Sequence, residues 1–217
     1  MKNGLRKVWR EYRGLAVFLV LMAIFRSALA DWNVVPTGSM KPTIVEGDRI
    51  LVNKLAYDLK IPLTHISLHR FADPMRGDIV VFDSRAAATR LVKRVIGLPG
   101  DTVQMRDNRL TINGIAARYS GIEYEPDATF AIESYLNMSH RIELAPAGAS
   151  RFSTFGPVTV PRDHYLVLGD NRDNSADSRY YGFIPRDEIV GNAKTIVLSL
   201  DYDDYYIPRA DRFFRPL

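Results

Sequence analysis

Two residues of this chain have the type and setting for covalent chemistry. Ser39 lies on a Pro/Gly turn, PTGSM (36–40), and Lys93 lies inside a β-prone run, TRLVKRVIG (89–97). A serine nucleophile needs a base within hydrogen-bond reach. Of the four histidines, His65 and His69 have the i, i+4 spacing of a metal pair on a helix. No carboxylate follows in a metalloprotease pattern, and Pro62 sits close by. His140 and His164 fall in an irregular stretch and at a strand start, with nothing catalytic beside them. A Ser-His-Asp triad therefore finds no support. Strand alternation puts Leu91, Lys93 and Val95 on one face and Val92, Arg94 and Ile96 on the other. If the first face is inward, desolvation lowers the lysine pKa. A base near neutral pH needs a fall of roughly three units from 10.4, about 4 kcal/mol. A plain linker at Ser39 and a lysine snorkelling to water remain the bland readings. Arg94, on the other face, reads as solvated or ion-paired.

A third stretch, GDNRDNSADSRYYGFIP (169–185), is dense in Asp and Asn. A calcium loop starting at Asp173 fails, because Ser178 stands where the glycine belongs and Ile184 where the bidentate glutamate belongs. A long turn with side chains satisfying the backbone stays open.

The elements that must position these residues are short β runs: GDRILVNKLAY (47–57), RGDIVVFDS (76–84), TRLVKRVIG (89–97), HYLVLGD (164–170) and NAKTIVLSL (192–200). TVQMRDNRLTINGIA (102–116) reads as two β arms around a polar turn. Residues 118–161 lack a clear period and read as a less constrained insertion. Residues 59–75 read as a loop or a hairpin near a membrane, and the tail 201–217 as surface.

Charge narrows the partners. The net charge is +4, and residues 1–14 carry five basic residues against Glu11 alone. The rest of the chain holds 24 basic and 24 acidic residues, so no excess is left for a nucleic-acid-binding face. There is no cysteine, hence no disulfide or thiolate chemistry. The basic tail precedes the uncharged run LAVFLVLMAIF (15–25). Extended over 14–30 it makes seventeen residues, roughly 25 Å of helix at the thin end of spanning length. Ala28-Leu29-Ala30 matches a secretory cleavage site. Trp9 and Trp32 flank the run as interfacial anchors do, and the reading favoured is one uncleaved span with the basic tail cytoplasmic.

Together VVPTGSMKPTIVEGDRILVNK (34–54), RGDIVVF (76–82), VKRVIGLPGD (92–101) and LGDNRDNSADSRYYGFIP (168–185) resemble bacterial signal peptidase I, a membrane-anchored Ser-Lys protease. The resemblance implies Ser39 as nucleophile and Lys93 as general base. It implies Thr37 as the side-chain part of the oxyanion hole, Ser175 bonded to the lysine amine, and Asp177–Arg179 as a supporting ion pair. Val35, Met40 and Val92 would shape the pockets for small residues at −1 and −3. The fold implied is mostly β, an antiparallel catalytic core with a smaller inserted β domain after one transmembrane helix. Its boundaries are a tail (1–13), an anchor (14–30), core (31–103), insertion (104–161), and core with tail (162–217). The expected partners are signal peptides of exported preproteins and the lipid bilayer, with no nucleic acid, no metal and no cofactor. The location implied is the bacterial inner membrane, with the catalytic part on the outer side. A maturation peptidase for a dedicated substrate such as a conjugative pilin, and a non-enzymatic membrane-anchored β domain, are the alternatives. A self-cleaving repressor would need an N-terminal helix-turn-helix, where this chain has its apolar run.

Overall fold

A computed structural model describes residues 12–19, 21–22, 30–61, 64, 66–146 and 150–217. Residues 12–19 and 21–22 are helical. Among the described residues no helix is long and apolar enough to cross a membrane. Much of the 14–30 segment, with Arg26 and Ala28-Leu29, lies outside the described residues, as do Trp9 and His65.

Strand β1 (Ala30–Val34) leads through a 3-10 turn, Gly38–Met40, to β2 (Asp48–Asn53). In β2 the period of two is plain: Asp48, Ile50 and Val52 are buried while alternate residues are open. The hairpin β3 (Asp58–Lys60) and β4 (Ser67–Arg70) occupies the stretch read as loop or hairpin. Then come β5 (Ile79–Ser84) and β6 (Thr89–Gly97), paired antiparallel with Val80 opposite Lys93. The apolar start of β5, Ile79-Val80-Val81-Phe82, is covered on both faces, as an unbroken apolar run implies.

Between β6 and its next sheet partner lie two small sheets. Strands β7 (Thr102–Arg106), β8 (Arg109–Ile112) and β9 (Ile115–Ala116) form one. Strands β10 (Arg118–Tyr124), β11 (Thr129–Tyr135) and β12 (Met138–Leu144) form the other, and β13 (Phe155–Thr159) returns to pair with β7. Residues 118–161, read as irregular, thus contain four ordered strands. The period was hidden because the inward positions carry Glu133 and His140 beside Ala131, Tyr135, Met138 and Ile142.

The chain rejoins the main sheet with β14 (His164–Leu168), followed by the helical turn Ser178–Tyr181 and β15 (Ile184–Pro185). The long β16 (Ile189–Asp201) carries β17 (Ile207–Pro208) and β18 (Arg215–Pro216) on its flank. Sheet order is β1-β2-β16-β5-β6-β14-β15. Three apolar clusters hold it. One, with Val35, Met40, Ile44, Ile50, Val81 and Ile196, lies under the Ser39 turn. A second, with Val80, Phe82, Val95 and Val167, covers the Lys93 strand. A third, with Ile96, Leu168, Met105 and Tyr135, joins the main sheet to the small ones. Each fully buried side chain of this kind contributes about 1.5–3 kcal/mol.

The tail does not all lie on the surface. Arg212 is buried, pairs with the fully buried Asp48 at 2.6 Å and donates to the Thr43 carbonyl at 3.1 Å. Gly47 has φ +89°, and a Cβ there would lie 1.9 Å from the Leu200 carbonyl oxygen. The loop after Ser39 is thereby pressed against the C-terminal strands.

Candidate active site

The turn that presents Ser39 is fixed from below. Val35 and Met40, on either side of the turn, are 3% and 1% exposed in one apolar cluster, while Pro36 and Thr37 between them are open. The buried residues anchor the turn, and Ser39 is held at the edge of that anchorage. Thr37 precedes the 3-10 turn in extended conformation, and its hydroxyl makes no capping bond. The Ser39 amide lies in the first turn, where helical geometry supplies no carbonyl partner.

Strand β6 brings Lys93 across. Its Nζ lies 2.6 Å from Ser39 Oγ, and the residue is 2% exposed. Burial among apolar neighbours lowers the Lys93 amine to about 8; the carboxylates of Asp177 and Asp170 oppose this, and Arg179 adds to it. Desolvation dominates, as the inward-facing alternation anticipated. With the amine neutral, the same 2.6 Å geometry lets the hydroxyl donate to Nζ.

The Gly169–Pro185 stretch closes the rear of the pair. Asp177 accepts from Nε and Nη2 of Arg179, one bidentate edge of the guanidinium, at 2.8 and 2.7 Å, and takes the Gly169 amide at 2.9 Å. Asp177 therefore reaches the lysine as a carboxylate already shared with a cation. Ser175 lies beside Gly169, but its Oγ is buried without a hydrogen-bond partner. The contact from Ser175 to the lysine implied by the resemblance is not made; Lys93 is bonded to Ser39. Val92 is half-buried and packs on the cluster of Val35 and Met40. Of these three apolar residues it offers the most surface.

Arg94 is not solvated. It makes a bidentate pair with Asp170 at 2.8 and 2.7 Å and donates to the Gly77 carbonyl. Asp170 also accepts from Thr43 Oγ1 at 2.5 Å, which ties the loop after Ser39 to the lysine strand. Burial alone would raise the Asp170 carboxyl; the Arg94 charge and hydrogen bonds hold it below the usual range. Behind it Arg172, fully buried, pairs with Glu133 on β11 at 2.8 and 2.6 Å. His140 stands between the two ion pairs, 3.6 Å from Glu133 and 3.7 Å from Asp170, and burial pushes it down to about 4. Thr43, Asp170, Glu133 and Arg172 lie in quoted or neighbouring sequence but were not singled out. The Asp/Asn density of the third stretch is a signal for Asp170 and Arg172 alone; Thr43 and Glu133 lie outside it. Among the described residues no group of three or more His, Cys, Asp or Glu is placed to hold a metal.

Residues 9–198 match the family described as Signal peptidase, peptidase S26. The chain belongs to that family. It is 35% identical over 196 residues to signal peptidase I of Pseudomonas aeruginosa, covering 83% of this chain and 69% of that one. Signal peptidase I of Pseudomonas fluorescens is 37% identical with the same coverage. Signal peptidase I P of Bacillus subtilis subsp. natto is 34% identical over 87% of this chain and 88% of the relative. This S26 peptidase is accordingly a serine peptidase, a hydrolase that removes signal peptides, and its substrates are signal-peptide-bearing preproteins. Its mostly antiparallel β architecture is the one the resemblance implied.

Proposed function

We propose that this S26 peptidase is a membrane-anchored Ser-Lys endopeptidase that cuts exported preproteins after small-x-small sites. The observation that carries the reading is the 2.6 Å contact between Ser39 Oγ and a buried Lys93 whose pKa falls to about 8. At neutral pH part of the lysine is neutral and acts as base. Lys93 takes the Ser39 proton as Oγ attacks the scissile carbonyl. The oxyanion is held by the Ser39 amide and the hydroxyl of the exposed Thr37. The tetrahedral adduct collapses, the leaving amine takes the proton from the Lys93 ammonium, and the upstream segment stays as an ester on Ser39. Lys93 takes a proton from water as the water attacks the ester. The second adduct collapses, Ser39 Oγ leaves with the proton from the Lys93 ammonium, and the signal peptide departs as its carboxylic acid, which ionises in water. Asp177 and Arg179 hold Gly169 and the rear wall. The apolar cluster at Val35, Met40 and Val92 supports shallow pockets that admit alanine and exclude large side chains by clash.

Anchoring is supported by residues 12–19 and 21–22, where Leu15, Val17, Phe18, Leu19 and Leu21 are exposed apolar side chains on helical residues. Exposure of that kind calls for a lipid environment. The basic tail then stays cytoplasmic, and the catalytic part lies on the outer face of the inner membrane.

The test is cleavage of a preprotein with an Ala-x-Ala site by detergent-solubilised enzyme, beside Ser39→Ala and Lys93→Ala, with the cut mapped by mass spectrometry. Cleavage after the second alanine by wild type alone is the expected result. Equal cleavage by all three proteins rejects the dyad. No cleavage by folded wild type rejects the general substrate range.

A further inference from the structure

Two strand segments flank the dyad with a single ladder partner each among the described residues. Among the described residues β1 pairs with β2 alone, and the first half of β6, Thr89–Lys93, pairs with β5 alone. The segments they begin meet at two points. One is the contact between Ser39 and Lys93. The other is Arg90 Nη1 to Asn33 Oδ1 at 3.4 Å. Between these points lie Val34 and Pro36, both exposed, and the half-buried Leu91 and Val92. An open edge on each side is what an inserted extended peptide requires.

The far contact is chemically lopsided. Arg90 is pinned by Asp83 through two bonds, at 2.7 and 3.0 Å, which leaves its Nη1 edge toward Asn33. A guanidinium has no acceptor, so it fixes the Asn33 amide with oxygen toward Arg90 and nitrogen away. That nitrogen, Asn33 Nδ2, is covered from solvent and has no acceptor. An unmet buried donor costs about 1–3 kcal/mol. At 3.4 Å the contact to Arg90 is long for a hydrogen bond.

We infer that Asn33, oriented by Arg90, is a substrate-binding residue whose side-chain N–H pairs with a backbone carbonyl of the signal peptide near the fourth residue before the cut. This rests on the peptidase reading above and deepens it. From Lys93 to Arg90 is three residues of strand, about 10 Å at 3.3 Å per residue. An extended peptide with its −1 carbonyl at Ser39 reaches that depth at −4. The contact is to backbone and so is blind to the side chain, as a peptidase with many substrates needs. Side-chain selection stays with the apolar walls between the two contacts.

The experiment compares kcat/KM on two synthetic peptides with the same Ala-x-Ala site, one beginning at −3 and one at −5. For wild type the ratio of long to short is expected to be about three to ten, the worth of one hydrogen bond. Asn33→Asp keeps the shape but removes the donor, and Asn33→Ala removes both groups; each is expected to bring the ratio close to one. Circular dichroism checks that both variants fold. A ratio kept in both variants, or a wild-type ratio of one, overturns the assignment. A wild type that cleaves neither peptide nor any longer preprotein overturns the peptidase reading itself, and the assignment with it.

Discussion

Gly169 and Ser39 are in contact through backbone alone. A Cβ on Gly169 would stand 2.4 Å from the Ser39 carbonyl oxygen, and 2.2 Å from Ser175 Oγ. The Asn171 amide donates to the same Ser39 carbonyl at 3.2 Å. The start of the third sequence stretch is therefore the surface against which the Ser39 turn is seated. Gly169→Ala is expected to push Ser39 away by about an ångström and to lower kcat by about a hundredfold. Steady-state kinetics on a folded variant checks this, and more than half of wild-type kcat retained would discard it.

With Lys93 at about 8, only about a tenth of the amine is neutral at pH 7. The rate constant kcat/KM is expected to climb about tenfold per pH unit below 8 and to level above it. The stability sign is the reverse of an ordinary lysine pair. The folded state resists protonation, so the lysine destabilises below pH 8 and this penalty disappears as pH rises toward 10.5. Lys93→Met removes a penalty of about 3 kcal/mol at pH 7 and a hydrogen bond of about 1 kcal/mol. Its Tm should rise by about 4–8 °C while cleavage is lost. A lower Tm in the variant would reject buried-amine strain.

Asp177→Asn breaks the buried pair with Arg179, whose side chain is 3% exposed. The expected cost is about 3–5 kcal/mol. The Asp177 charge raises the Lys93 pKa and that of Arg179 lowers it. Losing the anion while keeping the cation must move the acid limb of the pH profile to lower pH, even as the enzyme becomes less stable. A shift to higher pH would show that the two charges act on the lysine otherwise.

The chain carries, at Ala28-Leu29-Ala30, a match to the small-x-small site proposed as its target. The bond after it lies in strand β1, where Ala30 faces Asn53 and Asp31 faces Val52 in the ladder with β2. Peptide bonds already held in a sheet do not enter a strand-binding groove. Membrane-purified enzyme should therefore keep its N-terminal sequence, and terminal sequencing that finds Asp31 first would refute this.

Strand β6 was readable to the residue, Thr89–Gly97, because one apolar alternation covers it and a glycine ends it. Type and setting single out the serine and the lysine, but a linker and a snorkelling lysine yield to the dyad only through the resemblance; the structure puts the two side chains 2.6 Å apart. The stretch 118–161 was not, because its inward faces hold Glu133 and His140. Burial of those groups makes sense only with Arg172, whose position 39 residues from Glu133 no local period reveals. The tail was misread for the same reason: Arg212 finds its carboxylate 164 residues away. Asp and Asn in the third stretch suggested a turn. Two of them neutralise arginines, Asp170 that of Arg94 on β6 and Asp177 that of Arg179 in the stretch's own helical turn, while Asn171 donates to Glu143.

Ser39 is synthesised early and Arg212 late. At 5–20 residues per second the gap between them is roughly 10–35 s. Through that interval Asp48, which Val45 and Arg212 together satisfy, lacks its cation, and the loop behind the nucleophile lacks its last brace. A ribosome-bound chain that still lacks Arg212 therefore carries Ser39 on a loop without its C-terminal brace.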